Sequence, residues 1–162
     1  MGNNYFDPYD ALLLDNQACF PFYVCAKEII NKYTPFLKEI DLTYTQYIAM
    51  MVMWEEKTVL SRHLKDRLFL DTGTLTPVIK KLEEKGLVTK KRSETDLRDL
   101  VVTITDKGEA LKEKAVQIPF KVGSCFEGMD MKDMVILKPA LERLMEYFKR
   151  NNYEEKNNGR AV

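Results

Sequence analysis

The chain has 162 residues, 45% hydrophobic and 31% charged, which suits one domain with a real core and excludes a disordered polypeptide. Its 25 basic side chains balance 25 acidic ones, so an anionic partner has to be met by a local basic stripe and not by overall charge. Three cysteines, an opening "MGNNYFDPYD" without the basic start of a signal peptide, and apolar stretches such as "YIAMMVMW" too short to span a bilayer predict a cytoplasmic protein with free thiols and exclude a membrane span.

Residues 10 to 33 carry Leu13, Phe20, Tyr23, Val24, Ala26 and Ile30 at helical spacing, and Thr34-Pro35 predicts a break or kink. Pro21 lies inside this run, so the helix either kinks there or starts again near Cys19. Thr43 is a good N-cap for "YTQYIAMMVMWEE", which reads as a buried helix. Residues 58 to 68, "TVLSRHLKDRL", read as a short amphipathic helix with Val59, Leu60, Leu64 and Leu68 on one side. Asp71 or Thr72 then caps "GTLTPVIKKLEEKG", with Leu75, Val78, Ile79 and Leu82 as its apolar face and Gly86 as its stop. Two helices joined by a tight turn match the helix-turn-helix pattern.

The β-branched segments "LVTKKR" and "DLVVTITDKG" flank the polar "SETDLR", so a hairpin wing is expected. Its tip carries Arg98, with Asp96 near enough to hold the guanidinium in one direction. Residues 131 to 148 form a last helix with a broad apolar face, and residues 151 to 162 have the polar look of a flexible tail. The expected fold is mainly α with a small β-wing (α+β). It is a single domain over 1 to 162, with a winged helix-turn-helix DNA-binding lobe over 43 to 108 and a helical dimerisation region built from 10 to 40 and 115 to 150. The apolar faces of the two end segments have no obvious partner within one chain, which points to an interface.

A helix of this kind fits the major groove of double-stranded DNA, and its first turn offers the hydroxyls of Thr72, Thr74 and Thr76 beside free backbone amides. Between residues 78 and 92 six basic residues (Lys80, Lys81, Lys85, Lys90, Lys91, Arg92) face two acidic ones (Glu83, Glu84). A lone lysine cluster is most often a solvated helix face. Joined to a helix-turn-helix, a wing and Arg98, it reads as a DNA-binding surface, with Lys80, Lys90, Arg92 and the Asp96-Arg98 pair as contacts.

A cysteine on a helix with apolar neighbours is commonly packing. No metal or other cofactor is expected, because His63 is the sole histidine and the cysteines at 19, 25 and 125 have no ligand spacing. A hydrolytic nucleophile needs a base and an orienting group, so catalysis by Cys19 is not the expectation either. What remains is a thiol sensor, which requires a thiolate at neutral pH, where free cysteine with a pKa of about 8.5 supplies only a small fraction. Tyr23 lies at i+4 from Cys19, whereas Cys25 is about 120° round the helix and is read as packing.

Three motifs carry a family resemblance. "FLDTGTLTP" (residues 69 to 77) and "KKLEEKGLVTKKRSETDLRDLVVTITDKG" resemble the signature region of the MarR family of bacterial regulators. "LDNQACF" and "DLTYTQYIAMMVMWE" resemble the OhrR group, its organic-hydroperoxide-sensing branch, and the likeness runs from about residue 14 to residue 119. Two departures stand out, the acidic Asp99 after Arg98 where a small residue is expected, and Pro21.

The resemblance implies a homodimeric repressor whose two recognition helices lie about 34 to 36 Å apart on a pseudo-palindromic operator. It implies that Cys19 is the redox sensor, supported across the interface by Tyr33 and Tyr44, with Tyr23 lining the pocket or simply packing. Cys125 is the implied resolving cysteine of an intersubunit disulfide; otherwise a low-molecular-weight thiol caps the sulfenic acid. Phe20, Phe22, Met50 and Met53 would make the surroundings apolar, which favours organic hydroperoxides as oxidant. The rival readings are a repressor controlled by a phenolic or other small ligand, with Cys19 structural, and a thiol peroxidase.

Overall fold

The computed structural model describes residues 7 to 94, 99 to 126, 128 and 131 to 158. Two short 3-10 turns, Pro8–Leu12 and Leu14–Asn16, lead into α1 (Cys19–Glu39). Ala18 is the N-cap, so Pro21 falls in the first turn, where its missing N–H has no intrahelical partner to lose. The helix therefore begins at Cys19 and is not interrupted by Pro21. The break expected at Thr34-Pro35 is absent as well. The helix runs on to Glu39 with Pro35 inside it, because Leu37, 2% exposed, and the half-buried Phe36 anchor its last turns in the core. It ends on Asp41 in a left-handed conformation (φ 54°), with Leu42 N–H donating to Leu37 O at 3.0 Å.

Thr43 starts α2 (Tyr44–Glu56) through a capping box with Gln46, as the sequence predicts. Gln46, Tyr47, Ala49, Met50, Val52, Met53 and Trp54 are all buried, which makes α2 the central rod of the molecule.

Residues 58 to 68 are not one helix. Lys57 takes a positive φ of 63° and turns the chain, its carbonyl accepts from Ile104 N–H at 2.9 Å, and Thr58–Leu60 continue as strand β1. The helix proper is α3 (Ser61–Leu68). A turn with Phe69 left-handed (φ 54°) leads to α4 (Thr72–Glu84), capped by Asp71, whose Oδ1 accepts from Thr74 N–H at 2.8 Å. Gly86, at φ +70°, ends it, with Leu87 N–H donating to Leu82 O at 2.9 Å. Strands β2 (Val88–Arg92) and β3 (Leu100–Ile104) pair antiparallel, and β1 pairs with the other edge of β3, with Val59 opposite Val102. The order β1-β3-β2 puts the buried Val59, Val88 and Val102 against α3 and α4.

Two helices that the sequence reading does not resolve follow, α5 (Asp106–Ala115) and α6 (Ile118–Ser124), and they close the core with Ala115, Ile118 and Val122. Gly108 in the first turn of α5 lies so close to β2 that an added Cβ would stand 2.1 Å from Leu87 O. Its own carbonyl accepts from Trp54 Nε1 at 2.8 Å. The last helix, α7 (Met131–Asn158), extends into the stretch read as a tail. Phe22 and Tyr23 on α1 and Val135, Ile136 and Phe148 on α7 are at least half exposed, an apolar surface uncovered within one chain. No helix among the described residues is long and apolar enough to cross a membrane.

Candidate functional site

The first turn of α4 is open to solvent, with Thr72, Thr74 and Thr76 all exposed. Two of the three hydroxyls are already committed. Thr74 Oγ1 donates to Asp71 Oδ2 and Thr76 Oγ1 to Thr72 O, each at 2.8 Å. Thr74 chiefly holds the Asp71 cap in place; the hydrogen bond from its side chain, then the one from its backbone, keep that carboxyl below the usual range. Thr72 can donate outward without giving up bonds of the kind that hold the Thr74 and Thr76 hydroxyls.

The basic stripe is partly self-neutralised. Lys90 Nζ is 2.7 Å from Glu83, Lys81 Nζ is 2.7 Å from Glu84, and Lys80 Nζ is 3.9 Å from the same carboxylate. Glu84 is accordingly held acidic, first by the hydrogen bond from Lys81. These pairs are exposed and weak, so the lysines can exchange partners at little cost. Arg92, at the end of β2, is exposed. Asp96 and Arg98, the predicted wing-tip pair, lie outside the described residues.

The neck of the wing holds a cluster that the sequence reading missed. Asp99, 5% exposed, turns inward, and its Oδ1 accepts from Ser61 Oγ, from Arg62 N–H at 3.2 Å and from Leu100 N–H at 2.9 Å. Its Oδ2 is 3.2 Å from Arg62 Nε. Burial works to raise the carboxyl's pKa, but the hydrogen bonds from Ser61, Leu100 and Arg62 outweigh it and leave the group more acidic than usual. A carboxylate depressed in this way stabilises the fold above its unfolded value of about 3.9, and that contribution fades as the pH falls through the lower folded value. Asp99→Asn should therefore be less stable than wild type from neutrality down to about pH 4, with the gap shrinking below that. Urea unfolding at pH 7 and pH 2 checks this, and a gap of equal size at both would contradict it.

Cys19 is the first residue of α1, exposed, where first-turn N–H groups lack helical partners. Tyr33 and Tyr44 are brought together edge-on, with ring centroids 5.2 Å apart, and the aromatic run continues through Tyr47 (6.0 Å from Tyr33) to Trp54 (6.2 Å from Tyr47). Burial first, and then the neighbouring Tyr33, raise the pKa of Tyr44, so it keeps its phenol proton as a donor. Tyr23 does not join this group; it is 62% exposed, with Lys27 Nζ 6.0 Å from its ring.

Within one chain the thiol and the tyrosine pair are far apart. Cys19 and Tyr33 sit on the same continuous helix, 14 residues apart, which is roughly 21 Å at 1.5 Å per residue. Met50 and Met53, expected around the sulfur, are fully buried in the core, on the face of α2 opposite the exposed Met51 and Glu55. Cys25, expected to pack, is exposed. Cys125 caps α6, also exposed, with Sγ 3.5 Å from Lys121 O. Lys121, on α6, in turn packs against the far end of α1, 2.9 Å from Glu39 and 5.6 Å from the Phe36 ring centroid.

A helix-turn-helix followed by a β2-β3 wing, with β1 completing a three-stranded sheet, defines the winged-helix class of transcriptional regulators. The family model described as transcriptional regulator SarA/Rot matches residues 31–115. Over 146 residues the chain is 40% identical to the organic hydroperoxide resistance transcriptional regulator of Bacillus subtilis (strain 168), covering 89% of this chain and 97% of that one. The chain belongs to the SarA/Rot family of transcriptional regulators and to the MarR-type, OhrR-like regulators. It is also 44% identical over 139 residues to the HTH-type regulator SarZ of Staphylococcus saprophyticus, covering 85% and 94% of the two chains. AbfR of Staphylococcus epidermidis superposes with a TM-score of 0.69 at 30% identity, covering 87% of this chain and 95% of that one. AbfR has also been solved reduced on DNA (31% identity, TM-score 0.66, covering 83% and 96%) and in a disulfide-formed state (30%, 0.59, covering 84% and 95%).

Proposed function

We propose that this regulator is a homodimeric repressor that holds double-stranded operator DNA while Cys19 is reduced and releases it when an organic hydroperoxide oxidises that thiol. The observation that carries the reading is the layout of α1, with Cys19 at one end and the Tyr33-Tyr44 pair and Cys125 towards the other. Two such helices crossing antiparallel about a two-fold axis bring the sulfur of each subunit to the tyrosines and Cys125 of its partner, and the apolar faces of α1 and α7 supply the surface to be buried. The hydroperoxide-resistance regulator and the reduced, DNA-bound AbfR support the same assignment by similarity.

The chemistry is a two-electron oxidation. The Cys19 thiolate attacks the terminal peroxide oxygen, the O–O bond breaks and the alcohol leaves, taking up a proton; the sulfenic acid then condenses with a second thiol, releasing water. The phenols of Tyr33 and Tyr44 donate to the thiolate. On DNA, α4 enters the major groove with Thr72 and its first-turn amides, Lys80, Lys90 and Arg92 meet phosphates, and the Asp96-Arg98 wing tip reaches the flanking backbone. Lys80 and Lys90 leave Glu84 and Glu83 to do so.

A gel-shift titration with tert-butyl hydroperoxide, followed by intact mass, tests the reading. Wild type should leave a pseudo-palindromic duplex and gain a disulfide; Cys19→Ser should stay bound at every dose. Cys125→Ser should stop at the sulfenic acid or at an adduct with added small thiol. Release of Cys19→Ser at wild-type doses would overturn the proposal in favour of a different trigger.

A further inference from the structure

We propose that Asp99 is a positioning residue for DNA binding, its buried carboxylate locking the neck of the wing to the first turn of α3 and thereby fixing where Arg98 is delivered relative to α4. The inference rests on the DNA-binding reading above and adds a residue to it.

Three observations converge. First, Asp99 closes the neck with its backbone: its carbonyl accepts from the N–H of the buried Ser93 at 3.0 Å, and the next residue, Leu100, pairs with Arg92. Secondly, its side chain reaches off the sheet to the helix-turn-helix. The N-cap position of α3 is Leu60, which has no side-chain oxygen to offer, and the cap is supplied instead by Asp99 through Arg62 N–H and Ser61 Oγ. Thirdly, the corner has no slack. Leu60, immediately before Ser61, is paired with Val101 on β3, and Ser61 Oγ itself accepts from Leu100 N–H at 3.3 Å.

One buried carboxylate therefore touches both the wing and the scaffold of the recognition helix. Arg98 precedes it in the sequence, so the lock acts one residue from the wing's proposed basic contact. A small residue at this position, as the family pattern has, lacks the charged carboxylate whose two oxygens serve Ser61, Leu100 and Arg62 together. The acidic residue after the wing arginine is thus accounted for as an internal strut, held away from the phosphates it would otherwise repel.

The test is a double-mutant cycle on a duplex selected by wild-type protein from a random-sequence pool, with affinity measured from 50 to 300 mM salt. Asp99→Ala should weaken binding by about tenfold and lower the salt slope by about one, as loss of one phosphate contact does. In the Arg98→Ala background it should change neither, because its effect runs through the wing. Asp99→Asn, which retains an acceptor for the two amides, should lose less. Losses of Asp99→Ala and Arg98→Ala that simply add would overturn the proposal, showing that Asp99 acts on the fold alone.

Ser61→Ala gives a milder variant if Asp99→Ala folds poorly, and it should show the same dependence on Arg98. Hydrogen exchange in the free protein reads the lock itself. The Arg62 and Leu100 amides should exchange faster in Asp99→Ala, and unchanged protection would sink the idea without touching the DNA-binding reading. Absence of any selected duplex for wild type would sink that reading and this inference together.

Discussion

Gly108→Ala should lower the stability of the protein by about 3 kcal/mol, towards the upper end of what overpacking costs. The added Cβ would lie 2.1 Å from Leu87 O, 3.1 Å from Leu87 C and 2.8 Å from Ile104 Cγ1. Two of these three atoms are backbone and cannot swing aside. Leu87 O is also the acceptor for Thr105 N–H at 3.0 Å, so moving it opens the junction of β2 and α5. Moving α5 instead breaks the bond from Trp54 Nε1 to Gly108 O. Alanine's better helix propensity, at most about 1 kcal/mol, does not offset this. In a chain of this length the change corresponds to a fall of about 10 °C in Tm. Trp54, the single tryptophan, should report a more exposed indole in fluorescence. A melting point within a degree or two of wild type would show that the close approach of α5 is relaxed in solution.

The second large effect is all-or-none. A disulfide needs Cα atoms within about 7 Å, whereas Cys19 and the α6 cap bearing Cys125 sit towards opposite ends of α1, a separation on the order of 20 Å within one chain. Neither Cys19→Ser nor Cys125→Ser homodimers should form a peroxide-induced link between these positions. Dimers reconstituted from a mixture of the two should form one such bond, seen as a covalent dimer on a non-reducing gel and as a Cys19-Cys125 cross-linked peptide by mass. An equivalent bond found within one chain would require α1 to unfold and would remove the two-fold arrangement from the mechanism.

The sequence announces those parts of the fold whose signals are local. Thr43, Asp71 and Gly86 each mark a helix boundary through their own side-chain or backbone chemistry, and each sits where that chemistry predicts. Strand β1 was not legible, because Val59 and Leu60 keep the apolar spacing of α3 and their strand state comes from pairing with β3, some 40 residues on. Pro35 misleads in the opposite direction, its local preference overridden by the burial of Leu37. In the candidate site, Cys19 is singled out by the residues, and Tyr33 and Tyr44 by the family resemblance alone. The commitment of the Thr74 and Thr76 hydroxyls, the pairing of Lys80 and Lys90 and the inward turn of Asp99 could not be read from the chain, since each depends on a neighbour's rotamer or on a distant segment.

One helix, α2, touches α1, the helix-turn-helix, the sheet and α5. At its amino end α2 carries Tyr44 against Tyr33, and at its carboxyl end Trp54 grips α5 while Glu56 meets His63 at 3.1 Å on α3. Thirteen residues make it a stiff lever roughly 20 Å long. A pivot of about 10° at the tyrosine end would sweep the far tip by on the order of 3 Å, more than the tolerance of a hydrogen bond to a base edge. On the proposed function, a rearrangement of a few atoms beside Tyr44 would be amplified in this way into a stroke that a duplex can feel.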